Sequence, residues 1–172
     1  ILFLTISLTL CSCLDIETRP EIRTLRRLIK KSDCTLCKKG FQRLSYGGKL
    51  NPSIQIISMG YITTQYRFKS IDEARFFFVP LFKEYIKPFN EEKSLRPFLS
   101  NYPLDATNLE LSIAFVDDKG ESLQIPWICQ VFTKHGKIIY LIDKPDSTYS
   151  VTQFSETFEE AEKKLAAQQL TH

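Results

Sequence analysis

The sequence predicts an α+β protein in which helices pack on one face of an antiparallel sheet of about four strands. Large apolar residues alternate with other residues from 109 to 115, which is typical of a half-buried strand. The segments IPWICQVF and KIIYLID flank the short turn TKHG and are typical of a hairpin. Strands joined by short turns favour antiparallel pairing, and the remaining apolar periodicity is helical, so the helices are expected on one face.

Helices are predicted where apolar residues recur every three or four positions. The first covers residues 21–31, and its inward residues are Ile22, Leu25, Leu28 and Ile29. The second begins after a capping box formed by Ser70 and Glu73. Its apolar stripe consists of Ala74, Phe78, Leu81, Phe82, Tyr85 and Phe89. Thr157 and Glu160 predict the start of a last helix that ends near residue 168, with Phe158, Ala161 and Leu165 facing inward.

Two further segments connect these elements. A short helix is predicted to start at Cys34, capped by Ser32 or Asp33. The segment YGGKLNPS is predicted to be a loop because of its glycine, asparagine and proline content. Residues 54–67 are rich in β-branched and aromatic side chains and predict a long strand, with a bulge or bend at Gly60.

The first residues predict export. Residues 1–10 contain no charge, but a run of 10 residues is about half of the roughly 20 that a membrane-spanning helix needs. Its length fits the apolar core of a secretory signal peptide. The following residues, Leu10-Cys11-Ser12-Cys13, resemble the lipobox of bacterial lipoproteins.

That resemblance implies that residues 1–12 are a signal peptide and that Cys13 carries acyl chains such as palmitate. Two or more chains give stable anchoring. Residues 13–49 then form a lipid-anchored, basic, helical segment, and residues 50–172 form the α+β domain, in one unit with residues 20–49. The expected location is the bacterial cell envelope, facing the periplasm. Leu14 after the cysteine favours the outer over the inner membrane.

The positive charge of the chain is concentrated near the proposed anchor. Residues 19–49 contain 10 basic and 2 acidic residues, a local charge of +8 in a chain of net charge +3. Basic residues beside an anchor are attracted to anionic headgroups. The residues predicted to contact the membrane are Arg19, Arg23, Arg26, Arg27, Lys30 and Lys31. The alternative is a solvated helix face, and nucleic acid is not expected as a partner of an exported protein.

Cys34 and Cys37 form a CxxC pair with three interpretations: a local disulfide, which is favoured, two reduced thiols, or a redox pair. A redox pair at a helix N-terminus would be activated by the helix dipole and by neighbouring lysines. The segment IPWICQVFTKHGKIIY and the last helix are similar to the end of a thioredoxin domain, which implies a cis bond before Pro126, facing the cysteines. Cys129 is predicted to be a buried free thiol.

No catalytic residue, metal site or cofactor is predicted. The two histidines are His135, at the hairpin turn, and His172, and neither adjoins a nucleophile motif. The segment SLRPFLSNYPLDATNLELSIAF resembles stretches of uncharacterised envelope proteins of intracellular bacteria, which suggests a surface site at Arg96, Asn101 and Tyr102. The alternative is that Phe98, Leu99 and Tyr102 close the core.

These observations predict a lipid-anchored envelope protein that acts as a binding or structural module rather than as an enzyme, and an envelope protein is one expected partner. The alternative function is that of a tethered, thioredoxin-like thiol-disulfide oxidoreductase that uses Cys34 and Cys37.

Overall fold

The computed structural model describes residues 19–143 and 151–169. Its helices are Pro20–Lys38 (α1), Ile71–Glu91 (α2) and Phe158–Gln169 (α3), with a short 3-10 helix at Arg96–Phe98. Its strands are Gln42–Lys49 (β1), Ile56–Thr63 (β2), Leu109–Phe115 (β3), Gln130–Lys134 (β4), Lys137–Asp143 (β5) and Val151–Thr157 (β6). The predicted α+β class is confirmed.

The sheet has six strands in the order β1-β2-β3-β4-β5-β6, so the prediction of about four was wrong. All neighbouring pairs are antiparallel except β2 and β3, which are parallel because α2 crosses over between them. The missed strands, β1 and β6, form the two edges. Every residue of β1 is exposed, so it lacks the apolar alternation that marks a half-buried strand. The predicted loop YGGKLNPS therefore contributes its first four residues to β1.

Helix α1 continues without a break through the CxxC pair, so the predicted second helix at Cys34 was wrong. Ser32 is buried, and the carboxylate of Asp33 accepts hydrogen bonds from the side chains of Arg43 and Tyr61. Neither side chain therefore caps a new helix. The hydroxyl of Thr35 donates to the carbonyl of Lys31, one turn earlier, as it would inside a continuous helix.

The helices cover one face of the sheet, and the predicted inward residues form the core. The stripes of α1 and α2 and the alternate residues of β3 are all buried. On the other face, small polar side chains hydrogen-bond to neighbouring strands, as in the pairs Ser58–Glu110 and Gln130–Ser112. The bulge predicted at Gly60 lies opposite it, between Arg43 and Ser45 of β1. A side chain at Gly60 would meet the hydroxyl of Ser45 at 2.5 Å, which explains the glycine.

A buried carboxylate joins α2 and α3 to the sheet. Glu156 of β6 accepts hydrogen bonds from two nitrogens of Arg75, at 2.7 and 3.0 Å, and from the hydroxyl of Tyr140 at 2.8 Å. Lys164 of α3 donates to the same carboxylate at 2.8 Å. Burial by itself would raise the pKa of Glu156, but the hydrogen bonds from Arg75, Lys164 and Tyr140 outweigh it and lower that pKa. Glu156 is therefore held ionised.

A second polar cluster fixes α1 on the same face of the sheet, near the edge formed by β1. The hydroxyl of Tyr61 on β2 donates to Asp33 at 2.6 Å and to the hydroxyl of Tyr85 on α2 at 3.2 Å. Arg43 of β1 forms an ion pair with the same aspartate. Burial raises the pKa of both tyrosines, which keeps them protonated and able to donate.

Replacing Glu156 with glutamine is expected to destabilise the fold by about 3–5 kcal/mol at pH 7, because it leaves the buried charge of Arg75 without its carboxylate. The measurement is urea-induced unfolding. Glu159→Gln is the matched control, because Glu159 pairs with Lys163 on the exposed surface of α3 and should matter by less than about 1 kcal/mol. Equal losses in the two variants would contradict the role of the Glu156 cluster.

The difference in the free energy of unfolding between the original chain and Glu156→Gln is expected to depend on pH. The folded-state pKa of Glu156 lies below its ordinary value of 4.5, so its contribution is complete above that value and is lost as the pH falls through the lowered pKa. The difference between the original chain and Glu156→Gln should therefore shrink on acidification. A difference that stays constant down to the acid transition would contradict the lowered pKa.

Candidate functional site

A cleft of about 1220 Å³ lies at one end of the sheet, and we call it the aromatic cleft. One wall is formed by the first three turns of α2. The others are the loop between β2 and α2, the residue before Ile128 in the loop that leads to β4, and the end of α3. Its apolar lining consists of Phe68, Phe76, Phe77, Pro80 and Trp127.

The floor of the aromatic cleft is anchored in the core by tilted and edge-to-face ring contacts. The ring of Phe68 lies 4.9 Å from that of Phe77 and 5.3 Å from that of Phe115, which is fully buried. Tyr66 lies 4.6 Å from Phe77 and extends the cluster towards Phe41. Such contacts add about 0.5–1.5 kcal/mol per pair to the burial of their area, so the floor is a rigid surface.

Other aromatic side chains of the cleft are fully or partly exposed to solvent. Phe76 is 56% exposed although it lies between two turns of a well-packed helix. Phe77 and Trp127, which line the same cleft, are half-buried. Large exposed apolar groups that share one concavity are typical of binding sites, whereas scattered ones need no explanation.

The rim of the aromatic cleft carries both signs of charge, but they differ in their partners. The acidic pair is engaged internally, because Asp72 forms an ion pair with Arg75 and Glu73 accepts hydrogen bonds from the backbone of Lys69 and Ser70. The basic pair is Arg67 and Lys69. The ammonium of Lys69 lies 4.7 Å from the centre of the Trp127 ring, and in the described residues neither cation forms an ion pair.

The backbone around the aromatic cleft is largely self-satisfied. The N–H of Ile128 donates to the carbonyl of Phe68 at 2.9 Å, and that of Trp127 donates to Gln124 at 3.0 Å. The hydroxyl of Ser70 caps α2 by accepting from the N–H of Glu73, which completes the predicted capping box. Within the described residues, these groups are thus not available to pair with the backbone of a ligand strand.

The residues predicted to lie near a membrane begin at the opposite end of the sheet. The guanidinium of Arg19, at the start of α1, donates to the carbonyls of Leu50 and Pro52, which precede β2. The hydroxyl of Tyr66, beside the cleft, donates to the carbonyl of Lys39, just after the end of α1. The 19 residues of α1 separate these ends by about 28 Å. Cys13 and the predicted signal peptide lie outside the described residues.

The basic residues of α1 are arranged as the sequence suggested. Arg23, Arg26, Arg27, Lys30 and Lys31 are exposed, opposite the buried apolar stripe. Arg27 also forms an ion pair with Glu92 at 2.8 Å, and Arg19 is half-buried against Glu21. The exposed face therefore fits both the predicted membrane contact and a solvated helix face, and the membrane contact stays a prediction.

The cysteine pair lies at the wrong end of a helix for the predicted activation. Cys34 and Cys37 are exposed free thiols near the C-terminus of α1, so the N-terminal dipole is far away. The bond before Pro126 is cis, as the resemblance to thioredoxin implied. However, α1 lies over β1, whereas Pro126 precedes β4, and two strands separate these in the sheet. The redox alternative stays a prediction without this support.

The remaining predicted residues lie at other places. Cys129 is a buried free thiol, as predicted; it donates to the carbonyl of Leu141, and burial raises its pKa.

Arg96 and Tyr102 are exposed, with the guanidinium 4.6 Å from the ring centre, and Asn101 is exposed beside them. Tyr102 therefore does not close the core, unlike Leu99. This predicted surface site lies on the connection from α2 to β3, far from the aromatic cleft.

Comparison of the chain with protein-family models, curated proteins and solved structures found no match. In the described part of the chain, no His, Cys, Asp and Glu side chains converge on a geometry that could hold a metal ion. None of the described helices combines the length and the hydropathy needed to cross a bilayer. The functional argument therefore rests on the aromatic cleft itself.

The sequence analysis did not single out the residues of the aromatic cleft. A signal was present in Phe76, Phe77 and Phe78, since only Phe78 belongs to the buried stripe of α2. An aromatic residue that lies outside the apolar stripe of a helix indicates a second apolar surface, which a ligand or partner can cover. Trp127 and Phe68 lie in loops, and only the fold brings them to α2.

The thiols are expected to differ in reactivity. In a Cys11→Ser, Cys13→Ser background, 5,5′-dithiobis(2-nitrobenzoate) should modify Cys34 and Cys37 in the native protein, because both are exposed, and Cys129 only after unfolding. The release of thionitrobenzoate measures this. Rapid modification of Cys129 in native protein, or protection of the pair in protein that has been reduced and then freed of the reductant, would contradict the described burial.

Proposed function

We propose that this chain is a lipid-anchored protein of the bacterial cell envelope that binds an apolar ligand in the aromatic cleft. The anchor is Cys13, and the binding site lies at the end of the domain that faces away from the membrane. The observation that carries the proposal is the aromatic cleft, in which a rigid aromatic floor meets an exposed phenylalanine and the single tryptophan of the chain.

The positions of the two ends support this orientation. Five residues separate Cys13 from Arg19, and the fully extended chain between them spans at most about 22 Å. The end of the domain that contains Arg19 is thus held near the bilayer, and the cleft lies beyond the length of α1. The exposed cations of α1 add attraction to anionic headgroups, of roughly 1 kcal/mol for each that comes close to the surface.

The composition of the cleft supports binding over a purely structural role. Ligand sites are typically concave and mainly apolar, with a few polar groups that fix orientation. The aromatic cleft meets this description, and its polar groups, Arg67 and Lys69, stand at its rim. An envelope protein that covers the same surface is the second kind of occupant that fits an apolar patch, with the periplasm as the expected compartment.

The lipid anchor is tested by metabolic labelling with an acyl-chain probe. We expect label on the original chain, expressed with a complete signal peptide, and its loss in Cys13→Ala, which removes the acylated sulfur. Cys11→Ala is the matched control and should retain the label, because Cys11 leaves with the signal peptide. Equal labelling of Cys13→Ala and the original chain would contradict the anchor.

Binding in the aromatic cleft is tested with Nile red, a neutral apolar dye, added to the Cys13→Ala chain. We expect energy transfer from Trp127 to the dye, and a dissociation constant at least about tenfold weaker in Phe76→Ser, which removes an exposed ring of the wall. Leu44→Ser is the matched control, because Leu44 is 60% exposed but lies on β1. Similar weakening in both variants, or none in Phe76→Ser, would contradict the assignment of the site.

A further inference from the structure

We infer that the ligand of the aromatic cleft is a single-chain amphiphile with a carboxylate head, as in a free fatty acid. The hydrocarbon chain lies on the aromatic floor, and the carboxylate is held by Arg67 and Lys69. This inference rests on the proposed function, and it adds the chemical class of the ligand.

The charge of the head follows from the partners of the rim residues. Asp72 and Glu73 already bind Arg75 and the backbone at the start of α2, so their oxygens are engaged. The ammonium of Lys69 lies over the ring of Trp127. Arg67 is exposed and forms no ion pair in the described residues. The pKa of the Asp117 carboxyl is lowered mainly by hydrogen bonds from the backbone of Glu121 and Lys119, and in small part by the charge of Arg67. A carboxylate complements two such cations, and a guanidinium can bind it through two parallel hydrogen bonds.

The single apolar chain follows from the backbone around the cleft. A peptide brings an N–H and a carbonyl with each residue, and these groups need partners when they are buried. Several of the backbone N–H groups beside the floor already have partners: those of Ile128 and Trp127 donate to the carbonyls of Phe68 and Gln124, and those of Lys69 and Ser70 donate to Glu73. A hydrocarbon chain requires no such partners, and Phe68, Phe76 and Phe77 offer it only ring surface.

The volume of the cleft is large enough to hold such a ligand. Its volume of about 1220 Å³ exceeds the range of roughly 300–1,000 Å³ that is common for drug-sized ligands. The cleft is open along one side, so a chain of a dozen carbons can lie in it with its head at the rim. Arg67 and Lys69 are both exposed on the loop before α2, within reach of that head.

The test uses two amphiphiles with the same tail, dodecanoate and the dodecyltrimethylammonium cation, below their micelle concentrations. They are titrated into the full chain carrying Cys13→Ala and followed by Trp127 emission and by calorimetry. We expect dodecanoate to bind at least about tenfold more tightly, because only it forms charge-assisted hydrogen bonds with the rim. Arg67→Met with Lys69→Met should abolish this preference, while Lys93→Met with Arg96→Met, exposed cations elsewhere, should leave it unchanged.

The outcomes separate this inference from the proposed function. Binding of both amphiphiles with equal affinity, sensitive to Phe76→Ser, would overturn the carboxylate head and leave the apolar site standing. Binding of neither amphiphile would overturn both. Binding to vesicles of phosphatidylglycerol without binding of monomeric dodecanoate would also overturn the inference, because it would assign the cations to a membrane surface.

Discussion

The buried carboxylate of Glu156 is the contact on which the arrangement of the helices depends. It lies on an edge strand whose other described side chains are exposed, yet it receives hydrogen bonds from α2, α3 and β5. A buried charge is tolerated only when its partners satisfy it, so these three elements are fixed relative to β6 by the same requirement. The cluster of Tyr61, Asp33 and Arg43 does the same for α1 and β1. Each cluster combines a strand tyrosine, a carboxylate and an arginine, one on either side of the central helix.

This arrangement determines the wall of the aromatic cleft. Arg75, which binds Glu156, is followed directly by Phe76 and Phe77 of the cleft, and it also pairs with Asp72 at the rim. The start of α2 is held on its other side by the capping box and by the hydrogen bond between the loops at Phe68 and Ile128. The rotation of α2 that buries Arg75 leaves Phe76 facing outward. The site is therefore built on a helix that the core fixes at two points, and a preorganised surface loses less conformational entropy on binding.

Several parts of the fold could be predicted because they follow local periodicity. The stripes of α1 and α2, the alternation of β3 and the two-residue turn at His135 and Gly136 are each set by residues close in sequence. The strands β1 and β6 could not be predicted, because an exposed edge strand lacks the alternation of buried and exposed residues. The CxxC pair shows a different failure. Ser32 and Asp33 predicted a helix start at Cys34, but the carboxylate of Asp33 binds Tyr61 and Arg43, partners that local sequence patterns do not reveal.

The sequence by itself determined the α+β class, the inward face of each helix and the hairpin, since all of these depend on short-range patterns or on neighbouring residues, and it predicts an anchor at Cys13. Only the tertiary structure decided that the sheet has six strands with one parallel pair, and that Phe68, Phe76 and Trp127 share one cleft. These residues come from two loops and a helix, and their meeting depends on the crossover of α2 and on the buried partner of Arg75. Residues that are far apart in the sequence and meet in one cleft produce no periodic pattern along the chain. The residues between them are selected for packing in the core and not for lining the cleft.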